Sequence, residues 1–278
     1  MNYICLMHFL KRLFNFYINS SVHVALAVYS LVRVTELYFE LSYNASLNYF
    51  IFFGTITGYN FVKYAGVAKF HHRSLTTQLK IIQIFSLICF LAMCFYAWQL
   101  PIKTLLYFVP FLLLTVLYAV PFLSGFQKNL RNISYLKIIV VAVVWAGFTT
   151  LIPVLDAGEP VSGLLVLSSL QRFVLVMVLI LPFDIRDVKY DAISLQTIPQ
   201  KIGVKRTKKI GLILLLLAMV IEFMIAPTSL LRNAFLGLFF VVLFFLMNAK
   251  IEQSKYYSSF WVEGIPIVWY LILLLMML

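Results

Sequence analysis

Asp184, Asp187 and Asp191 stand at i, i+3 and i+7 in the segment Leu181-Pro-Phe-Asp184-Ile-Arg-Asp187-Val-Lys-Tyr-Asp191. On a helix this spacing places the three carboxylates on one face, within about 60° of one another. Like charges gathered in this way repel, and a hard cation relieves the repulsion. Mg²⁺ is commonly held by one or two carboxylates together with substrate phosphates. One reading of the segment is therefore a Mg²⁺–diphosphate site. The other is a solvated helix end, because Arg186 and Lys189 are interleaved with the acids. Spacing alone leaves both readings open.

The elements that must position this cluster are transmembrane helices. Apolar residues make up 63% of the 278-residue chain and charged residues 12%, about half the charged fraction of an ordinary soluble domain. A hydrocarbon core roughly 30 Å thick requires about 20 apolar residues per helix. Nine candidate spans satisfy this, at roughly 14–36, 47–66, 80–99, 103–123, 134–155, 161–183, 208–226, 230–249 and 260–278. The runs are continuous rather than alternating, which argues for helices over a transmembrane barrel. The expected fold class is all-α, a polytopic helical bundle forming one membrane domain over 1–278.

The net charge of +12 would suggest nucleic acid in a soluble protein. Here the basic residues fall in alternate loops: Lys11 and Arg12; Lys69, Arg73 and Lys80; Lys128 and Arg131; Lys189 and Lys201 to Lys209; Lys250 and Lys255. The intervening loops carry Glu36, Glu40, Asp156 and Glu159. The positive-inside bias accounts for this without a nucleic-acid partner, and it places the N-terminus in the cytoplasm and the C-terminus outside. The three cysteines, Cys5, Cys89 and Cys94, imply no disulfide framework. No cleavable signal is expected, because Lys11 and Arg12 follow the first apolar residues instead of preceding them. Pro110, Pro121 and Pro182 lie in or near spans and are expected to bend them.

The segment from Asp184 through Asp187 and Asp191 to Thr197-Ile-Pro199 and Ile202-Gly203 resembles the second aspartate-rich motif of the UbiA-type intramembrane prenyltransferases. Tyr118-Ala-Val-Pro121, followed by Lys128 and Arg131, is similar to that family's Tyr-x-x-Pro segment and the basic residues after it. The resemblance implies a nine-helix membrane fold and Mg²⁺ held by Asp184, Asp187 and Asp191. It also implies transfer of a prenyl group from a polyprenyl diphosphate to an acceptor, which is unidentified here. Membrane lipid is the surroundings, and a bacterial inner membrane is the expected location. Asn60, Lys63, Lys128 and Arg131 are the candidate diphosphate contacts. The alternative is a non-catalytic protein that keeps the fold and binds an isoprenoid or lipid.

The sequence departs from the family at the first aspartate-rich motif. Asn60 is kept, but Phe61, Tyr64 and Ala68 stand at the aspartate positions. None of the three can replace a carboxylate toward Mg²⁺. Lys63 supplies either a cation near the diphosphate or a side chain that snorkels to the interface. In the second motif, Thr197 follows Asp191 one residue sooner than in the family, and the intervening glycine is missing.

Three further features stand outside the motifs. Arg172, about 18 Å along the helix from Asp184, is too far to share a metal with it. A charge at that depth needs an interior partner, and Glu222, Asn233 and a backbone carbonyl are the candidates. Arg33 and Glu36 are spaced as an i, i+3 ion pair. Gly54-x-x-x-Gly58 is spaced for close helix packing. His71-His72 has no further ligand at a suggestive spacing and reads as a solvated loop.

Overall fold

The structure is a computed structural model that describes residues 2–70, 77–119, 136–189 and 197–278. Among these residues there are helices and no strands. In chain order they are α1 (Asn2–Asn19), α2 (Val22–Tyr38), α3 (Ala45–Phe70), α4 (Thr77–Gln99), α5 (Ile102–Ala119), α6 (Leu136–Asp156), α7 (Gly163–Asp187), α8 (Ile198–Ile225), α9 (Ser229–Asn248) and α10 (Ile265–Met277). A π turn, Gly147–Leu151, interrupts α6, and another, Tyr257–Val262, precedes α10.

Among the described residues, six segments are long and apolar enough to cross a bilayer: Leu79–Gln99, Ile102–Ala119, Leu136–Asp156, Gly163–Asp187, Ser229–Asn248 and Tyr257–Met277. Only 11% of the Leu79–Gln99 segment is buried within the protein. Ile84, Leu87, Ile88, Leu91 and Phe95 on it are all more than half exposed. Water penalises so much contiguous apolar surface and a lipid tail does not. The chain is an integral membrane protein.

The expected first span, 14–36, is divided in two. α1 closes with Ser20 N–H donating to Phe16 O at 2.8 Å, and α2 opens with Ala25 N–H donating to Ser21 O at 3.1 Å. Between them Ser21 takes φ 64°, a left-handed conformation that ends a right-handed helix. The other two expected spans outside the six lie in α3 and α8. α3 carries Asn48, Thr55, Thr57 and Asn60 among its apolar residues, and α8 carries Lys208, Lys209 and Glu222 along its apolar stretch. α8 is also bent at Gly203, whose φ of 80° and ψ of 157° no helix accommodates.

The helices form two compact units, Met1–Tyr29 with Asn44–Leu100, and Ser30–Tyr43 with Pro101–Leu278. In the first, α3 packs along α4 over a core of Ala25, Ile56 and Cys89, joined by Phe52, Phe53 and Phe85. Gly54 meets α4 closely, since a Cβ there would lie 3.4 Å from Met93 Sδ; at Gly58 a Cβ would meet nothing within 4 Å. Only the first glycine of the expected pair therefore serves packing. On α1 of the same unit, His8, Lys11, Arg12, Asn15 and Asn19 share one helical face.

In the second unit α7 lies along α8 and α6, and α9 packs on α8 and α10. The core includes Leu31, Leu175, Leu181, Leu215, Phe235 and Trp269. Gly211 brings α8 close to both neighbours: a Cβ there would lie 2.7 Å from Leu181 Cδ1 and 2.8 Å from Leu246 Cδ2. A small residue at such a contact lets backbones approach and gain dispersion contacts that lipid-facing positions do not supply.

Candidate functional site

The aspartate cluster sits at the C-terminal end of α7. Ser162 caps the start of this helix, its Oγ accepting from Leu165 N–H at 3.2 Å. Twenty-five residues later the helix delivers its last turn, containing Pro182, Asp184, Arg186 and Asp187. Proline has no N–H to donate there, which loosens the turn. Gln253 steadies it by donating to Pro182 O at 2.9 Å, and Ser258 Oγ donates to Gln253 Oε1 at 2.6 Å.

Asp184 is 1% exposed. Burying a carboxylate is costly unless a charge or several donors face it. Lys137, one residue into α6, answers this: its Nζ lies 3.1 Å from Asp184 Oδ1. Asp187, one turn on, is partly exposed and accepts from Arg186 Nε at 2.7 Å, and that guanidinium lies over the Phe183 ring at 5.4 Å. Beyond the helix, Lys189 pairs with Glu252 at 2.6 Å, and this bond holds the Glu252 carboxyl below its ordinary range. Asp191, Lys128, Arg131 and the His71-His72 pair lie outside the described residues. Sequence reasoning missed Lys137. Its signal was a lysine just inside an otherwise apolar span, a position that calls for an interior partner.

Among the described residues no three His, Cys, Asp or Glu side chains gather to hold a metal ion. Asp184 and Asp187 supply two carboxylates to one helix face, enough for one Mg²⁺ completed by phosphate oxygens. At the first-motif positions the side chains have another use. Asn60 Oδ1 accepts from Ser21 Oγ at 2.8 Å, and its Nδ2 donates to Ser20 O at 3.0 Å and to Ser86 Oγ at 2.7 Å. Lys63 Nζ donates to Ser21 Oγ at 2.9 Å, and Tyr64 OH donates to Asn19 O at 3.0 Å. All of these bonds except the one to Ser86 end at the break between α1 and α2. Backbone groups freed by such a break must be satisfied where no water competes. Phe61, by contrast, is exposed and contributes no polar group. These positions hold a helix break and offer no acidic ligand set.

A second buried polar group lies further up α7. Arg172, 4% exposed, donates from Nη1 to Leu31 O at 2.9 Å and to Thr149 Oγ1 at 3.3 Å, and from Nη2 to Thr35 Oγ1 at 3.4 Å. Its guanidinium lies over the Trp269 ring at 5.2 Å. Of the expected partners, it is the backbone carbonyl that receives a hydrogen bond. Glu222 accepts instead from Tyr38 OH at 2.8 Å and from Gln171 Nε2 at 2.5 Å. The π turn in α6 belongs to this cluster, because Thr149 O accepts from Thr35 Oγ1 at 2.6 Å. Near the start of α2's last turns, Arg33 pairs with Glu36 as their spacing predicts, and also donates to Tyr270 OH at 3.3 Å.

No protein-family model matches the sequence, and no curated protein does. The solved structure of a digeranylgeranylglyceryl phosphate synthase is similar at a TM-score of 0.56 and 14% identity, covering 96% of this chain and 97% of that one. A likeness spanning both chains at so low an identity reports on how helices are arranged and not on what they bind. The chain therefore shares with that synthase the fold of a helical membrane bundle.

Proposed function

We propose that this chain transfers a polyprenyl group from its diphosphate to an acceptor within the membrane. The observation that carries the reading is Asp184: a carboxylate 1% exposed, at the end of a spanning helix, beside Asp187 and matched by Lys137. A fold that buries an acid at such cost, in the arrangement of a prenyltransferase, supports a site for a charged reaction. In that reaction the C–O bond to the diphosphate breaks and its electron pair leaves with the diphosphate. The acceptor's nucleophilic atom forms the new bond to the allylic carbon and loses a proton.

Asp184 and Asp187, with Asp191, would hold Mg²⁺. The ion when bound supplies positive charge that stabilises the departing diphosphate. Lys137 fixes the direction of the Asp184 carboxylate through their 3.1 Å ion pair. Lys128 and Arg131 would contact the diphosphate as further cations, with Asn60 and Lys63 as weaker candidates because both already serve the helix break. The donor set fits one Mg²⁺ and not a symmetric pair. In this reading the chain forms one domain over 1–278, with its N-terminus in the cytoplasm of a bacterium.

The occupied state of Asn60, Lys63 and Tyr64 favours a second reading, in which the fold binds an isoprenoid or lipid without turning it over. One experiment separates the two. Purified protein is incubated with Mg²⁺, radiolabelled prenyl diphosphates of several lengths and a panel of acceptors. Diphosphate release that is lost in Asp187→Asn supports transfer. Tight isoprenoid binding without release sinks it and leaves the binding role.

A further inference from the structure

Of the buried polar atoms in the second unit that have no hydrogen-bond partner among the described residues, four belong to residues around one cavity: Thr150 Oγ1, Ser168 Oγ, Arg172 Nε and Trp269 Nε1. They come from three different places, the π turn of α6, α7 and α10. Their side chains line one cavity of about 10 Å³, closed further by Thr35 and Gln171. Thr150, Ser168, Arg172 and Trp269 are 1%, 6%, 4% and 1% exposed, so bulk water does not satisfy them. Leaving one buried donor unpaired costs free energy on the scale of a lost hydrogen bond. Four such atoms on residues lining one cavity call for a ligand that completes them.

The chemistry of the four atoms selects the ligand. Arg172 Nε–H and Trp269 Nε1–H are donors only, whereas the two hydroxyls both donate and accept. A water molecule has two lone pairs and two hydrogens. Its lone pairs accept from Arg172 and Trp269, and its hydrogens go to Thr150 and Ser168, so every group is satisfied at once. The cavity volume is about that of one water site. A halide accepts but cannot donate, so both hydroxyls would have to turn inward.

We propose that this cavity is a specific single-water site that ties the π turn of α6 to α7 and α10. The water adds to the Arg172 cluster: the guanidinium reaches α2 and α6 by hydrogen bonds and α10 by its stacking over Trp269, and the water gives α10 a hydrogen-bonded link as well. The site lies apart from the aspartate cluster and does not depend on the transfer reaction.

The test uses the full-length protein in detergent and two near-isosteric variants, Thr150→Val and Ser168→Ala. If the water is there, each variant removes one of its partners and lowers Tm by about 2–4 °C, the shift expected for one ordinary hydrogen bond in a chain of this size. The double variant then falls by less than the sum, because the first loss has already loosened the shared water. If no water is bound, each substitution deletes an unpaired buried hydroxyl, and Tm stays level or rises; that result overturns the proposal. A second measurement guards against poor expression of either variant. The melting of the unmodified protein is compared in chloride and gluconate salts, and crystals are soaked in bromide. Equal melting and no anomalous peak at Thr150–Ser168 uphold water. A chloride-dependent Tm or a bromide peak there overturns it in favour of an anion.

Discussion

Replacing Lys137 with methionine keeps an apolar stem of similar length and deletes only the ammonium. That ammonium lies 3.1 Å from Asp184 Oδ1, and the two side chains are 23% and 2% exposed. Removing one partner of a buried ion pair costs about 3–5 kcal/mol, because the other charge is left uncompensated. The lysine end is reached by solvent, so the low end of that range, about 3 kcal/mol, applies here. At roughly 2–4 °C per kcal/mol for a chain of this size, Tm falls by about 6–12 °C. Pairing Lys137→Met with Asp184→Asn removes the stranded charge, so the double variant melts above Lys137→Met alone. Added Mg²⁺ makes the connection to the proposed site. A cation bound at 100 times its Kd returns about 2.7 kcal/mol, and the gain is larger in Lys137→Met than in the unmodified protein, where the lysine competes for the same carboxylate. The assay is thermal unfolding in detergent, followed by tryptophan fluorescence. A Lys137→Met protein that melts within 2 °C (about 1 kcal/mol) of the original, or a double variant that melts lower still, would refute the reasoning.

Three other perturbations, at other sites, use the same readout. Gly203 has φ 80° and ψ 157°, a region that is essentially glycine's alone, yet a Cβ there would meet nothing within 4 Å. Gly203→Ala should therefore cost about 1–3 kcal/mol through backbone strain only, whereas Gly58→Ala, in an open helical position, should gain about 0.5–1 kcal/mol. Asn60→Leu removes the bonds to Ser20 O, Ser21 Oγ and Ser86 Oγ. The expected loss is about 3 kcal/mol, one for each ordinary buried bond; a smaller loss in Asn60→Leu than in Tyr64→Phe would contradict the assignment of Asn60 as the main brace of the helix break.

The amino-acid sequence by itself determines that this chain lives in a membrane as helices. Long apolar runs are a property of local composition, and a bilayer leaves the backbone no other way to satisfy its donors and acceptors. The i, i+3, i+7 spacing of Asp184, Asp187 and Asp191 is legible for the same reason, since helical periodicity converts sequence separation directly into a face. So is the loss of carboxylates at Phe61 and Tyr64, which only residue identity can show.

Tertiary structure decided everything that depends on residues far apart in the chain. The break at Ser20–Ser21 is invisible in an apolar run that could continue as one helix. It is selected because Asn60, about 40 residues away, stabilises the interrupted backbone. Asp184 acquires its counterion from Lys137, 47 residues earlier, although Arg186 and Lys189 are nearer in sequence. Arg172 had three plausible partners by chemistry, and packing chose Leu31 O while giving Glu222 to Tyr38 and Gln171. In each case local pattern fixes which groups need a partner, because burial cost is a property of the group. Which partner arrives depends on where helices with little local preference come to rest against one another, and that is set by packing.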